Sequence, residues 1–183
     1  MTFRRTIKNI AICALLTGTT ATFAHVVLDE PAALAGTSYK AVFRVGHGCD
    51  GAPTNAITVF LPPGFAGAKP MPKPGWTLTT WQEKLVVPYK SHGKTVTEDV
   101  VQIRWSANAR ENWLPEAYYD EFVLRGGLPS TAGPLWFRVL QGCENASLDW
   151  AQIPASGTST KGLKSPAALL DVIPSGPAGE HQH

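Results

Sequence analysis

Apolar residues in this chain come in short alternating or clustered runs, each soon cut by glycine or proline. With 17 glycines and 15 prolines spread through it, no stretch sustains the 3.6-residue periodicity of an amphipathic helix. Strand-forming patterns remain. Residues 38–45 alternate cleanly: Tyr39, Ala41, Phe43 and Val45 share one face, Ser38, Lys40, Val42 and Arg44 the other. Further strands are expected at 26–30, 56–61, 76–81, 85–89, 99–105, 118–124, 135–141 and 147–150. Residues 69–75 carry three prolines and read as an extended connector. Ser91-His92-Gly93-Lys94 reads as a hairpin turn, and 107–117 as a loop with room for one helical turn. Many short strands without helices between them predict an all-β fold, an immunoglobulin- or cupredoxin-like β-sandwich forming a single domain.

The ends of the chain differ from its middle. Residues 1–24 read as a secretory signal peptide. Arg4, Arg5 and Lys8 precede a short apolar run at 10–16, and Thr22 and Ala24 occupy the −3 and −1 positions of a cut before His25. A cut after Ala21, with Thr19 at −3, is the competing choice. The apolar run is too short to span a bilayer. Residues 25–155 form the expected sandwich, and 156–183 a C-terminal extension, largely disordered. Within it, 161–173 offers one more extended piece, and 174–183 has the composition of a tail. A periplasmic or secreted location follows, with no membrane span after signal removal.

Export changes the charge balance. Three of the 16 Lys and Arg lie in 1–24 and all 14 Asp and Glu lie after it, so the chain from His25 carries −1. Nothing in that balance points to nucleic acid. Cys49 and Cys143 are the two cysteines left. In an oxidising compartment an isolated pair is most simply a disulfide; the alternative is a two-thiolate copper(I) site.

A cut after Ala24 makes His25 the first residue. A terminal histidine offers one metal ion two nitrogens, its α-amino group and its ring Nδ1, a set that suits copper(II). One methionine, Met71, remains after the cut, too few for a thioether copper(I) site. His47, in a loop with three glycines in six residues, is a candidate second ligand. Its other reading is a histidine bonded to the loop backbone. Among carboxylates, at most one of Asp29 and Glu30 can share a face with His25. Asp120 and Glu121 sit in a predicted strand. Glu121 is carried as a further candidate ligand, against pairing of either carboxylate with Arg104, Arg125 or Arg138. Glu144 and Asp149 flank the second cysteine region. His92 reads as solvated, and His181 and His183 as tail residues. Trp150 closes the last predicted strand, and a Cys49–Cys143 disulfide would draw it toward the His47 loop, beside the metal. No nucleophile elbow, P-loop, dinucleotide fingerprint or zincin motif is present.

Several stretches together resemble the YcnI-like family of exported bacterial copper-binding domains. They are His25-Val-Val-Leu, Val45-Gly-His-Gly-Cys49, Lys69-Pro-Met-Pro-Lys-Pro-Gly-Trp76, Tyr119-Asp-Glu-Phe122, and Gln141-Gly-Cys-Glu144 with Trp150. The chain departs from that pattern at Gly46, where a proline is common. The resemblance implies a β-sandwich holding copper(II) through the N-terminal histidine, His25, as the site's one histidine, with Trp150 close by. It also implies envelope copper handling, sequestration or delivery alongside other copper carriers, without catalysis. Two other classes stay open. One is a copper mono-oxygenase with a histidine brace, for which His47 or His92 would have to serve. The other is a non-metal envelope assembly module.

Overall fold

The computed structural model describes residues 25–176. The expected signal peptide, residues 1–24, and His181 and His183 lie outside them. In chain order the strands are β1 (Val27–Leu28), β2 (Ala32–Leu34), β3 (Ser38–Val45), β4 (Thr54–Phe60), β5 (Ala66–Pro70), β6 (Trp76–Ser91), β7 (Lys94–Ala107), β8 (Asp120–Gly127), β9 (Gly133–Cys143), β10 (Ser147–Trp150) and β11 (Ala168–Ile173). A 3-10 turn, Arg110–Asn112, interrupts the long loop before β8.

The strands make two sheets. One runs β1-β3-β8-β5; the other runs β2-β11-β9-β4-β7-β6, with β10 also paired to β9. The eight-residue alternation of β3 explains its place. Tyr39, Ala41, Phe43 and Val45 are buried while Ser38, Lys40 and Arg44 are exposed. Phe43, Phe122 and Leu124 from the first sheet meet Ile57, Val59, Ile103, Trp105, Phe137, Val139 and Leu170 from the second. Edge-to-face pairs tie the sheets together: Phe43 with Phe137 at 5.5 Å and Trp105 with Phe122 at 5.7 Å between centroids. Each such side chain removed from water contributes about 1.5–3 kcal/mol. The result is one β-sandwich domain.

β2 was not among the expected strands, and three further elements differ from the sequence expectation. The strands expected at 76–81 and 85–89 are one, β6, sixteen residues long. The polar residues Gln82, Glu83 and Lys84 break the apolar pattern but not the strand, because this part of the β6–β7 hairpin projects into solvent. Its turn is the expected one: His92 and Gly93 both have positive φ, 47° and 75°, which matches the twist of a two-residue hairpin loop. Between Lys84↔Glu98 and Tyr89↔Val96 the register breaks, and Val86 and Val87 stand out into water. β5, inside and before the proline-rich connector, was not expected as a strand; it pairs with β8 at the sheet edge, where proline is tolerated.

The third difference corrects the C-terminal boundary. The stretch from 156 was expected to be largely disordered, with one more extended piece at 161–173; that piece is β11, a full strand between β9 and β2, antiparallel to the first and parallel to the second. Ala168, Leu170 and Val172 alternate inward and are buried. The Ser-, Gly- and Pro-rich residues before them are a loop that carries the chain back to the sheet.

Candidate metal centre

Strand register positions His25. β1 pairs antiparallel with β3 through Val27↔Arg44 and Leu28↔Phe43. Continuing that register brings residue 25 opposite Gly46, where β3 runs into the His47 loop. Val26 and Leu28 are buried and anchor the strand. From the other sheet, β10 pairs with β9 through Trp150↔Val139 and drives Trp150 into the interior, 2% exposed. The His25 ring stands 5.7 Å from the Trp150 ring, tilted by 58°. The His47 ring stands 6.0 Å from the same indole, edge-on at 79°. The fold thus brings His25, His47 and Trp150 together.

A buried polar chain fixes this cluster. Trp150 Nε1 donates to Gln141 Oε1 at 3.0 Å. Gln141, fully buried, spends both amide protons: one on the His47 carbonyl and one on Thr54 Oγ1, each at 2.7 Å. The indole N–H can only donate, so it sets which way the Gln141 amide faces. Sequence reasoning gave Gln141 no role. Its signal was there: Phe137, Val139, Gln141 and Cys143 alternate on the inward face of β9, and a glutamine in that row must find partners.

The His47 loop is tied down on both sides. Cys49 and Cys143 are joined by a disulfide, with Cα atoms 6.0 Å apart and a sequence separation of 94. Thr54 Oγ1 lies 3.8 Å from Cys143 Sγ. The Gly48 N–H donates to Glu116 Oε2 at 2.5 Å, and a side chain at Gly48 would meet the Ala52 carbonyl oxygen 1.8 Å from its Cβ, so only glycine fits. His47 Nδ1 lies 2.5 Å from the Gly48 carbonyl, which makes it the protonated nitrogen and a donor. It therefore offers no lone pair at Nδ1.

The candidate carboxylates go elsewhere. Glu121 is exposed on the outer face of β8, accepts a hydrogen bond from the Tyr119 hydroxyl, and is paired across the strands with Arg44. Burial and this bond to Glu121 push Tyr119 up to about 12, so it remains a donor. The inward neighbour Phe122 is in the core, so Glu121 faces away from the interior that holds Trp150. Asp120 pairs with Lys73 at 2.6 Å, not with an arginine. Asp29 pairs with Arg44 at 3.2 Å, Glu144 with Arg110 at 2.6 Å, and Asp149 with Arg138 through two bonds. His92 is at the far end of the β6–β7 hairpin. Met71 is exposed, and its carbonyl accepts from Trp105 Nε1 at 3.0 Å.

Among the described residues, no three His, Cys, Asp or Glu side chains are grouped so as to hold a metal ion. A chelate at His25 fits this arrangement, because it draws on one side chain and one main-chain nitrogen. A cavity of about 180 Å³ opens beside His25, walled by Leu28, Pro31, Thr158, Thr160 and Pro166. The loop before β11, expected to be outside the domain, therefore borders the site.

A family model described as a domain of unknown function, DUF1775, matches residues 25–172. The chain belongs to the DUF1775 family. The match begins at His25 and runs into β11. Among solved structures, an uncharacterized protein from Nocardia farcinica with an immunoglobulin-like fold is 27% identical, with a TM-score of 0.62 over 81% of this chain and 97% of that one. A type II cohesin domain from the cellulosome of Acetivibrio cellulolyticus is 14% identical over 80% of this chain and 92% of that one, with a TM-score of 0.31. No curated protein matches the chain. This DUF1775 chain thus has an immunoglobulin-like β-sandwich, stapled by one disulfide. Among its described residues no helix is long and apolar enough to cross a membrane.

Proposed function

We propose that the protein is exported, is cut after Ala24, and carries copper(II) as cargo on the His25 it then begins with. Its role is to sequester or deliver the metal in the envelope, in the periplasm or outside the cell, without catalysis. The copper ion is its first partner and other envelope copper carriers its exchange partners. The observation that carries this reading is the His25 ring set against the buried Trp150 indole. β1 pairing holds the start of the domain beside a rigid aromatic wall.

The donor chemistry supports copper(II). An α-amine and an imidazole nitrogen on one residue favour tetragonal coordination. The resemblance to YcnI-like domains, carried by five stretches of the chain, implies the same two site residues, His25 and Trp150. In this reading β1 orients the chelate, Trp150 covers one side of it, and Gln141 holds the indole in place. The α-amino group must lose its proton to bind. Affinity therefore falls as pH drops below its ordinary range, about 7.7–8.0.

The test is a copper(II) titration of two chains, one beginning at His25 and one with a single alanine ahead of it. The first is expected to bind one equivalent tightly. The second is expected to bind about a hundredfold more weakly, a loss of about 2.7 kcal/mol. Equal affinities would rule out the chelate.

A further inference from the structure

The outer face of the first sheet carries an unusual row. β3, β8 and β5 lie side by side, and their registers align Lys40 with Arg125 and Arg125 with Lys69. All three side chains are exposed on the face turned away from the core. Like charges directly opposite one another on neighbouring strands repel and cost stability. No acid relieves this row: the four ion pairs among the described residues use Arg44, Lys73, Arg110 and Arg138.

The β6–β7 hairpin adds to the row. Its far end reaches the edge of the same sheet and closes a cavity of about 500 Å³, lined by Lys69, Arg125, Lys90, His92, Ser38 and Ser91 among others. Asp99, the carboxylate that the hairpin brings here, is already committed. Its Oδ2 accepts from the Gly67 N–H at 2.7 Å and the Tyr89 hydroxyl at 2.8 Å, and its Oδ1 from the Val100 N–H at 2.8 Å. Those bonds pin the hairpin over β5, so the cavity is built before any ligand arrives. Lys90 Nζ bonds only the neutral Thr95 hydroxyl at 2.7 Å, and Arg125 Nη2 only the Ser38 hydroxyl at 3.1 Å. Their charges are left unmatched.

We propose that this cavity binds a multivalent oxyanion of the phosphate class. Three fixed cations line it, Lys69, Lys90 and Arg125, with Lys40 next in the row. A monocarboxylate would leave most of that charge uncompensated, whereas a di- or trianion matches it. The Arg125 guanidinium supplies a planar fork suited to two phosphate oxygens, and the lysines act as point charges. The residues are exposed, so binding weakens as salt rises. The ligand is either a free phosphate compound or the phosphate headgroup of a lipid. This site stands apart from His25 and does not depend on the copper reading.

The probe is inorganic pyrophosphate, titrated calorimetrically into the exported protein in metal-free, low-salt buffer. One saturable site is expected. Arg125→Gln, and the pair Lys69→Gln with Lys90→Gln, are each expected to weaken it at least about tenfold, equivalent to about 1.4 kcal/mol. Lys161→Gln, on the distant loop before β11, is expected to leave it unchanged. Loss of binding in all variants alike, binding unaffected by Arg125→Gln, or an effect reproduced by sodium chloride at equal ionic strength would overturn the proposal. A second arm uses vesicles with and without phosphatidic acid. Retention on the acidic vesicles that pyrophosphate competes away assigns the headgroup as the source. Pyrophosphate binding without retention assigns a soluble phosphate.

Discussion

Replacing Cys49 and Cys143 together by serine is expected to lower the unfolding free energy by about 4–5 kcal/mol, the chain-entropy value for a closed loop of this length. The bond joins residues 94 apart, so it removes a large share of the unfolded chain's freedom. It also has a local effect. Cys49 carries the His47 loop and Cys143 ends β9, just beyond the Gln141 that holds Trp150. The loss should therefore appear both as a lower denaturant midpoint and as faster amide exchange at 46–52. Denaturant unfolding of the double variant beside the oxidised parent checks it. A loss below about 1 kcal/mol would mean that the pair contributes little to the fold.

Trp150→Ala is expected to cost about 3–5 kcal/mol, because it empties a fully packed site. The informative comparison is with finer changes. Trp150→Phe keeps most of the ring but leaves Gln141 Oε1 without its indole donor. Gln141→Leu keeps the volume but removes the hydrogen bonds that Gln141 makes to the Trp150 N–H, the His47 carbonyl and Thr54 Oγ1, and leaves the buried indole N–H without an acceptor. Each leaves buried polar atoms unpaired, at about 1–3 kcal/mol. Made together, they remove both sides of the Trp150–Gln141 bond. The double variant should then be less destabilised than the sum of the singles, by about 0.5–3 kcal/mol. Thermal or denaturant unfolding of the four proteins measures that difference. Strict additivity would show that the two side chains do not act as a unit.

The parts of the fold legible in the sequence are those where local pattern and burial agree. β3 and β10 have the bounds that their patterns predict, and the His92-Gly93 turn lies where its chemistry puts it. Pattern fails where burial does not drive the strand. The middle of β6, Gln82, Glu83 and Lys84, is exposed on both faces, so no alternation marks it; pairing with β7 holds it. β11 was legible only as one more extended piece within 161–173, for the opposite reason. Its neighbours in sequence are a low-complexity loop, and its reason to exist is the row of inward positions it fills between β9 and β2, which no local window contains.

The candidate site divides in the same way. His25, His47 and Trp150 were readable as residues of the right type, and the cysteine pair as a staple by count alone. The cysteine pair was expected to draw Trp150 toward the His47 loop; that His25 joins them on the same side depends on β1 pairing with β3, which no spacing reveals. Glu121 was a candidate by type, but alternation along β8 turns it outward while Phe122 turns in. The cation row needed two registers across three strands at once.

The most direct test of the central claim is native mass spectrometry of the protein recovered after export from cells supplied with copper. One species is expected, which starts at His25, keeps its disulfide and carries a single copper ion. A chain that starts at any other residue, or one that starts at His25 and carries none, would contradict it.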